Sequence, residues 1–174
     1  MTVPEGTEAH RKDARKFSVL RCAVLTVSDS RTPETDESGR YLREALAGAG
    51  HAVLDHGLLP NDEDRVRAQL RDWLDCDDLD LIVLTGGTGL GSRDRTIEVV
   101  RPLLEKEMPG FGELFRMLSF QEQVATASIL SRATAGSAKG KLLVSLPGSR
   151  AAVQLAMERI ILPEGAHAVR ELRR

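Results

Sequence analysis

Apolar, β-rich runs alternate with segments of helical period along this chain, and that alternation leaves few folds open to it. Residues 21–27, 52–59, 79–84 and 141–146 read as strands. Between and after them, apolar residues recur at helical spacing: Tyr41, Leu42, Ala45 and Leu46; Val66, Leu70, Trp73 and Leu74; Ile97, Val100, Leu103 and Leu104; Ala152, Val153, Ala156, Met157, Ile160 and Ile161. Parallel neighbours need long crossovers, and those are usually helices. The expected fold is therefore α/β: three layers, a mostly parallel sheet with helices on both faces.

The boundaries follow from local signals. Ser38 can cap the first helix and Gly50 can stop it; Thr96 can cap a helix that runs to about residue 108, with Pro102 as a kink. Residues 111–120 are dense in Phe, Leu and Met and hard to bury on one helix face. Residues 126–132 read as a helix or capped turn, and 133–137 as a short strand or loop. Residues 1–18 have almost nothing to bury and read as a flexible, solvated tail, which leaves 19–174 as a single domain. Aromatics make up only 3% of the chain, so its core must be aliphatic.

Several function classes fall away. Net charge is −2 with acidic and basic residues interspersed, which lacks the field that nucleic acid demands. Cys22 and Cys76 form no Cys-x-x-Cys pair, and Cys22 reads as a small buried hydrophobe. No apolar run approaches the ~18 residues of a membrane span, and the charged amino terminus is unlike a signal peptide, so a cytoplasmic protein without a membrane partner is expected. The four histidines are scattered, no Gly-x-Ser-x-Gly elbow occurs, and neither the Walker nor the dinucleotide glycine spacing is present.

What remains is a set of polar loops after strand ends: Ser28 to Arg31, Asn61 to Glu63, Thr85 to Asp94, and Pro147 to Ser149. In open α/β sheets, ligands sit beyond the carboxyl ends of the strands, so these loops should share one crevice. Gly86, Gly87, Gly89 and Gly91 leave the main chain bare, and N–H groups from Gly86 to Gly89, with the hydroxyls of Thr85 and Thr88, would suit a phosphate. Asp94 and Asp62 would add hard oxygens for Mg²⁺. Each has a plainer reading, Asp94 as a local cap or ion pair and Asp62 as the cap of the following helix; Ser149 can likewise be only a cap.

Read in order, Thr85-Gly-Gly-Thr-Gly89, Arg93-Asp94, Thr96 with Glu98, Pro109-Gly110-Phe111-Gly112-Glu113 and Leu146-Pro147-Gly148-Ser149 resemble the MoaB/Mog family, the molybdopterin adenylyltransferase-like domain of molybdenum cofactor biosynthesis. The resemblance covers about residues 21–167. It implies a domain that takes molybdopterin and Mg-ATP, transfers AMP to the terminal phosphate of the pterin side chain, and releases pyrophosphate; a non-catalytic pterin-binding or assembly module on the same scaffold is the alternative. It implies Asp94 as a catalytic and Mg²⁺-binding residue, and Asp62, the carboxylate of the neighbouring loop, is the second candidate for both roles. Substrate-binding roles fall to Thr85, Gly86, Gly87, Thr88, Gly89, Ser28, Asp29, Glu113, Pro147, Gly148 and Ser149. It further implies a homotrimer or a homohexamer built as a dimer of trimers, with residues 111–120 as contact or as ordinary core. Two departures stand out. Asn61 occupies the place after proline where many relatives carry aspartate, and Ile97 the place after Thr96 where proline is usual.

Overall fold

The computed structural model describes residues 19–174; the expected tail at 1–18 lies outside them. In chain order the elements are β1 (Arg21–Val27), α1 (Glu37–Gly48), β2 (Ala52–Leu59), α2 (Glu63–Asp75), β3 (Leu81–Thr85), α3 (Thr96–Val100), β4 (Lys106–Glu107), α4 (Pro109–Ser119), β5 (Thr134–Ala138), β6 (Lys141–Leu146), α5 (Arg150–Ala156) and α6 (Leu162–Leu172). A π-helical segment, Phe120–Val124, and a 3₁₀ segment, Ala125–Leu130, join α4 to β5. The strands form one sheet in the order β2-β1-β3-β6-β5-β4. β2, β1, β3 and β6 run parallel, while β5 and β4 add an antiparallel margin.

Both faces of the sheet are covered because its central strands carry apolar side chains toward both sides and are buried at nearly every position. Alternate side chains of a strand point to opposite faces, so each strand supplies two cores. Cys22, Val24, Leu81, Val83, Leu142 and Val144 meet Leu42 and Leu46 of α1, Phe111 and Phe115 of α4, and Val153 of α5. Ala23, Leu25, Val27, Ile82, Leu84 and Leu143 meet Val66, Leu70 and Trp73 of α2 and Val99 and Val100 of α3. The three-layer expectation holds. Cys22 is fully buried, and burial, with the nearby Asp80 charge, pushes its thiol pKa up to about 12, so it stays protonated and serves as packing.

Local boundaries moved where side chains compete for the same cap. Asp36, not Ser38, caps α1: its carboxylate accepts the Gly39 N–H at 2.9 Å, and the Ser38 hydroxyl instead donates to the Gly148 carbonyl at 2.9 Å. Thr96 is the first residue of α3 rather than its cap. That helix ends at Val100, after which Arg101–Leu103 tighten into a 3₁₀ turn with Pro102 inside it, and the chain extends into β4. Proline removes a helical donor and crowds the preceding turn, so the expected kink became a stop. Residues 111–119 bury one stripe, Phe111, Phe115 and Leu118, and leave Leu114 and Met117 exposed.

Candidate functional site

The carboxyl ends of β1, β3 and β6 and the turn after β2 open onto one cavity of about 580 Å³. Ser28, Asp29, Asn61, Thr85, Gly86, Gly87, Thr88, Gly89, Asp94, Pro147, Gly148 and Ser149 all line it. Parallel strands in register place their following loops side by side, which is why four segments far apart in sequence meet here.

The glycines are dictated by crowding between those strand ends. Gly86 has φ +97°, and its N–H donates to the Leu146 carbonyl at 3.0 Å, carrying the β3–β6 pairing one residue further. A Cβ there would lie 2.1 Å from the Val27 carbonyl oxygen. Gly87 has φ +63°, and its Cβ would meet Thr96 Oγ1 at 2.2 Å and Asn61 Oδ1 at 2.6 Å. Only glycine fits either position. Thr85, fully buried, spends its hydroxyl hydrogen on the Pro147 carbonyl at 2.9 Å. It ties the glycine loop to the β6 turn, so the expected donation of this hydroxyl to a phosphate is not available.

Carboxylates are distributed unevenly. Asp94 lines the cavity, with Oδ2 accepting the Gly91 N–H at 3.1 Å. Asp29 accepts both the backbone N–H of Asn61, at 3.0 Å, and its side-chain amide, at 3.1 Å, and pairs with Arg93 at 3.1 Å. Those bonds from Asn61, and then the Arg93 charge, hold the Asp29 carboxyl below the usual carboxylate range. Asp62 departs from the expectation that made it a second ligand: it caps α2, accepting the N–H groups of Asp64 and Arg65 at 3.0 and 3.1 Å, and it does not line the cavity. The Pro-Asn-Asp turn aims Asn61 inward and turns Asp62 to the helix. Glu113 is likewise outside the cavity, exposed on α4. Ser149 lines it while capping α5 through the Ala152 N–H, at 3.2 Å.

Two lining side chains, Thr26 and Asn61, carry a buried oxygen without a hydrogen-bond partner. The far wall was not legible in the sequence. It comprises Phe115 and Ser119 of α4 and Gln123, Val124, Ser128 and Leu130 of the π-helical and 3₁₀ segments that follow, whose turns depart from the 3.6-residue period. Arg31 and Asp36 also line the cavity.

Among the described residues, no group of three or more His, Cys, Asp or Glu is placed to hold a metal ion. A closed protein cage is therefore absent from that part of the chain. Mg²⁺ needs no such cage, since it keeps waters and commonly binds through one or two carboxylates together with substrate phosphates. Asp94, beside a bare glycine loop, fits that mode; Asp62 does not.

The profile of the family described as "Probable molybdopterin binding domain" matches residues 23–167, the span that contains every loop of the cavity. The chain belongs to this family. Among its relatives, molybdenum cofactor biosynthesis protein B of Halalkalibacterium halodurans is 50% identical over 167 residues, covering 96% of this chain and 97% of that protein. A crystal structure of a molybdenum cofactor biosynthesis protein B superposes with a TM-score of 0.86 at 44% identity, covering 90% of this chain and 97% of the other. The tungsten cofactor synthesizing protein MoaB from Pyrococcus furiosus superposes with a TM-score of 0.80 at 36% identity, covering 91% and 99%. This family's α/β scaffold is thus present nearly whole. No helix among the described residues is long and apolar enough to cross a membrane.

Proposed function

We propose that this family member acts in molybdenum cofactor biosynthesis by Mg-ATP-dependent adenylylation of molybdopterin. An oxygen of the pterin's terminal phosphate attacks the α-phosphorus of ATP; the new P–O bond forms as the bond from the α-phosphorus to the bridging oxygen breaks, and pyrophosphate leaves with that electron pair. The observation that carries this reading is the meeting of the glycine loop, Asp94 and the Pro147–Ser149 turn on one cavity of about 580 Å³.

Such a transfer needs position and charge rather than a covalent nucleophile. With the Gly86 N–H committed to the Leu146 carbonyl, the main-chain N–H groups from Gly87 to Gly89 are those offered at close approach to phosphate oxygens. Asp94 would hold Mg²⁺, which supplies neutralisation of the phosphate charge. Asp29, kept ionised by Asn61, and Arg93 stand at the same loops to orient the incoming groups. The lining side chains include three carboxylates, Asp29, Asp36 and Asp94, and one cation, Arg31, so a polyphosphate entering this cavity benefits from an accompanying divalent ion.

The second reading, a non-catalytic pterin-binding or assembly module, draws on Asn61. Its neutral amide faces the site where the related pattern carries a carboxylate, and it is committed to Asp29. A pyrophosphate-release assay with molybdopterin and Mg-ATP separates the two. Transfer predicts release by the wild type, loss in Asp94→Ala, and retention in Asp62→Ala, whose helix loses a cap worth about 1 kcal/mol. Binding of pterin without release would establish the module, and Asn61→Asp then tests whether a restored carboxylate brings release back. Assembly as a homotrimer or homohexamer belongs to the same proposal, supported by exposed Leu114, Met117, Phe120, Val124 and Ile129 along one stretch of chain.

A further inference from the structure

Arg132 stands just ahead of β5, outside the lining of the cavity, with its side chain one quarter exposed. Its guanidinium spans both ends of the glycine loop. Nε donates to the Thr88 carbonyl at 2.9 Å, and one terminal nitrogen donates to the Asp94 carbonyl at 2.9 Å and to Glu98 Oε2 at 3.3 Å. The other terminal nitrogen donates to Glu98 Oε1 at 2.5 Å. One side chain thereby fixes the main chain where the loop leaves Thr88 and where it delivers Asp94.

The direction of those bonds matters. In a trans peptide the carbonyl of one residue and the N–H of the next point to opposite sides. Holding the Thr88 carbonyl toward Arg132 turns the Gly89 N–H away from it, and holding the Asp94 carbonyl fixes the backbone that carries the Asp94 carboxylate into the cavity. A lysine cannot reproduce this fork, because it is a point charge without the planar set of donors. Glu98 occupies the two terminal nitrogens, which keeps the guanidinium from serving as an anion ligand itself. We propose that Arg132, braced by Glu98, is a positioning residue that holds the Thr88–Asp94 loop in its anion-accepting form. The assignment rests on the proposed function only in taking that loop as a phosphate cradle.

The test is calorimetric titration of the full chain with inorganic pyrophosphate in Mg²⁺ buffer, beside a melting curve for each variant. Arg132→Lys should weaken binding about tenfold or more, since hydrogen bonds from a charged donor are lost at both loop ends. Glu98→Gln should weaken it less. Added guanidinium should restore pyrophosphate binding to Arg132→Ala without raising its melting temperature, a separation of affinity from stability that a merely structural role would not give. Should Arg132→Ala fail to fold, Arg132→Lys and Glu98→Gln decide. Wild-type affinity in folded Arg132→Lys would overturn the assignment, as would a wild type that binds no pyrophosphate. A wild type that binds pyrophosphate but never adenylylates molybdopterin defeats the functional reading and leaves this one standing.

Discussion

Replacing Gly86 by alanine tests whether strand-end crowding, rather than general flexibility, selects glycine in the loop. Two costs combine there. An alanine at φ +97° takes a left-handed backbone, about 1–2 kcal/mol. Its Cβ also lies 2.1 Å from the Val27 carbonyl oxygen and 3.1 Å from the carbonyl carbon, both backbone atoms of β1 that cannot rotate aside. Overpacking of this kind costs about 1–3 kcal/mol. The sum, about 2–5 kcal/mol, should lower the melting temperature by roughly 4–20 °C for a chain of this length. Gly140→Ala is the control: φ is +70° with no atom within 4 Å of the built Cβ, so only the backbone cost of about 1–2 kcal/mol applies. Denaturation followed by the fluorescence of Trp73, buried between α2 and the sheet, reads both variants. Equal losses for Gly86→Ala and Gly140→Ala would refute the crowding argument. Because the loop must shift to relieve the clash, Gly86→Ala should also lose pyrophosphate affinity while Gly140→Ala keeps it.

Two further expectations concern stability and assembly. Asp80 is almost fully buried and receives the Arg21 N–H at 2.8 Å, the Arg21 guanidinium, and Arg173 from the carboxyl-terminal end. Burial raises its pKa, but the Arg21 hydrogen bonds and the Arg173 charge outweigh that and leave the carboxyl below its usual value. A depressed folded-state pKa stabilises above the unfolded value of about 3.9 and stops doing so as pH falls through the folded value. The melting-temperature gap between wild type and Asp80→Asn should therefore be widest near neutrality and shrink below about pH 4; a gap independent of pH would contradict the ion-pair account. For assembly, Met117→Lys with Phe120→Glu should convert a trimer or hexamer to smaller species by light scattering, and an unchanged mass would remove that surface from the contact.

The sequence reached the fold because its signals were local and repeated. Apolar runs such as 141–146 and stripes such as Val66, Leu70, Trp73 and Leu74 state which surfaces must be buried, and burial on both faces of a strand admits little besides a covered parallel sheet. It also reached the loops of the site, since glycine clusters and strand-end polar residues follow from the same pattern. The helix or turn expected at 126–132 is met by the 3₁₀ segment Ala125–Leu130, but that this stretch and the π-helical Phe120–Val124 wall the cavity was beyond the sequence, because their turns depart from the 3.6-residue period that reveals a buried face. Caps were ambiguous for a related reason: Asp36 and Ser38, or Asn61 and Asp62, offer the same chemistry within two residues, and the choice depends on which side chain the tertiary contact claims first. Ser38 went to the Gly148 carbonyl and Asp62 to its own helix.

By itself, then, the order of residues determined the layers, the strand ends and the bare glycine loop, since these depend on hydrophobic period and backbone sterics within each segment. Tertiary structure alone decided which carboxylates face the cavity, that Thr85 ties two loops together, and that Arg132 reaches back to grip the Thr88 and Asp94 carbonyls. Those outcomes join residues far apart in the chain, where hydrogen-bond direction and close packing, not local propensity, select the partner.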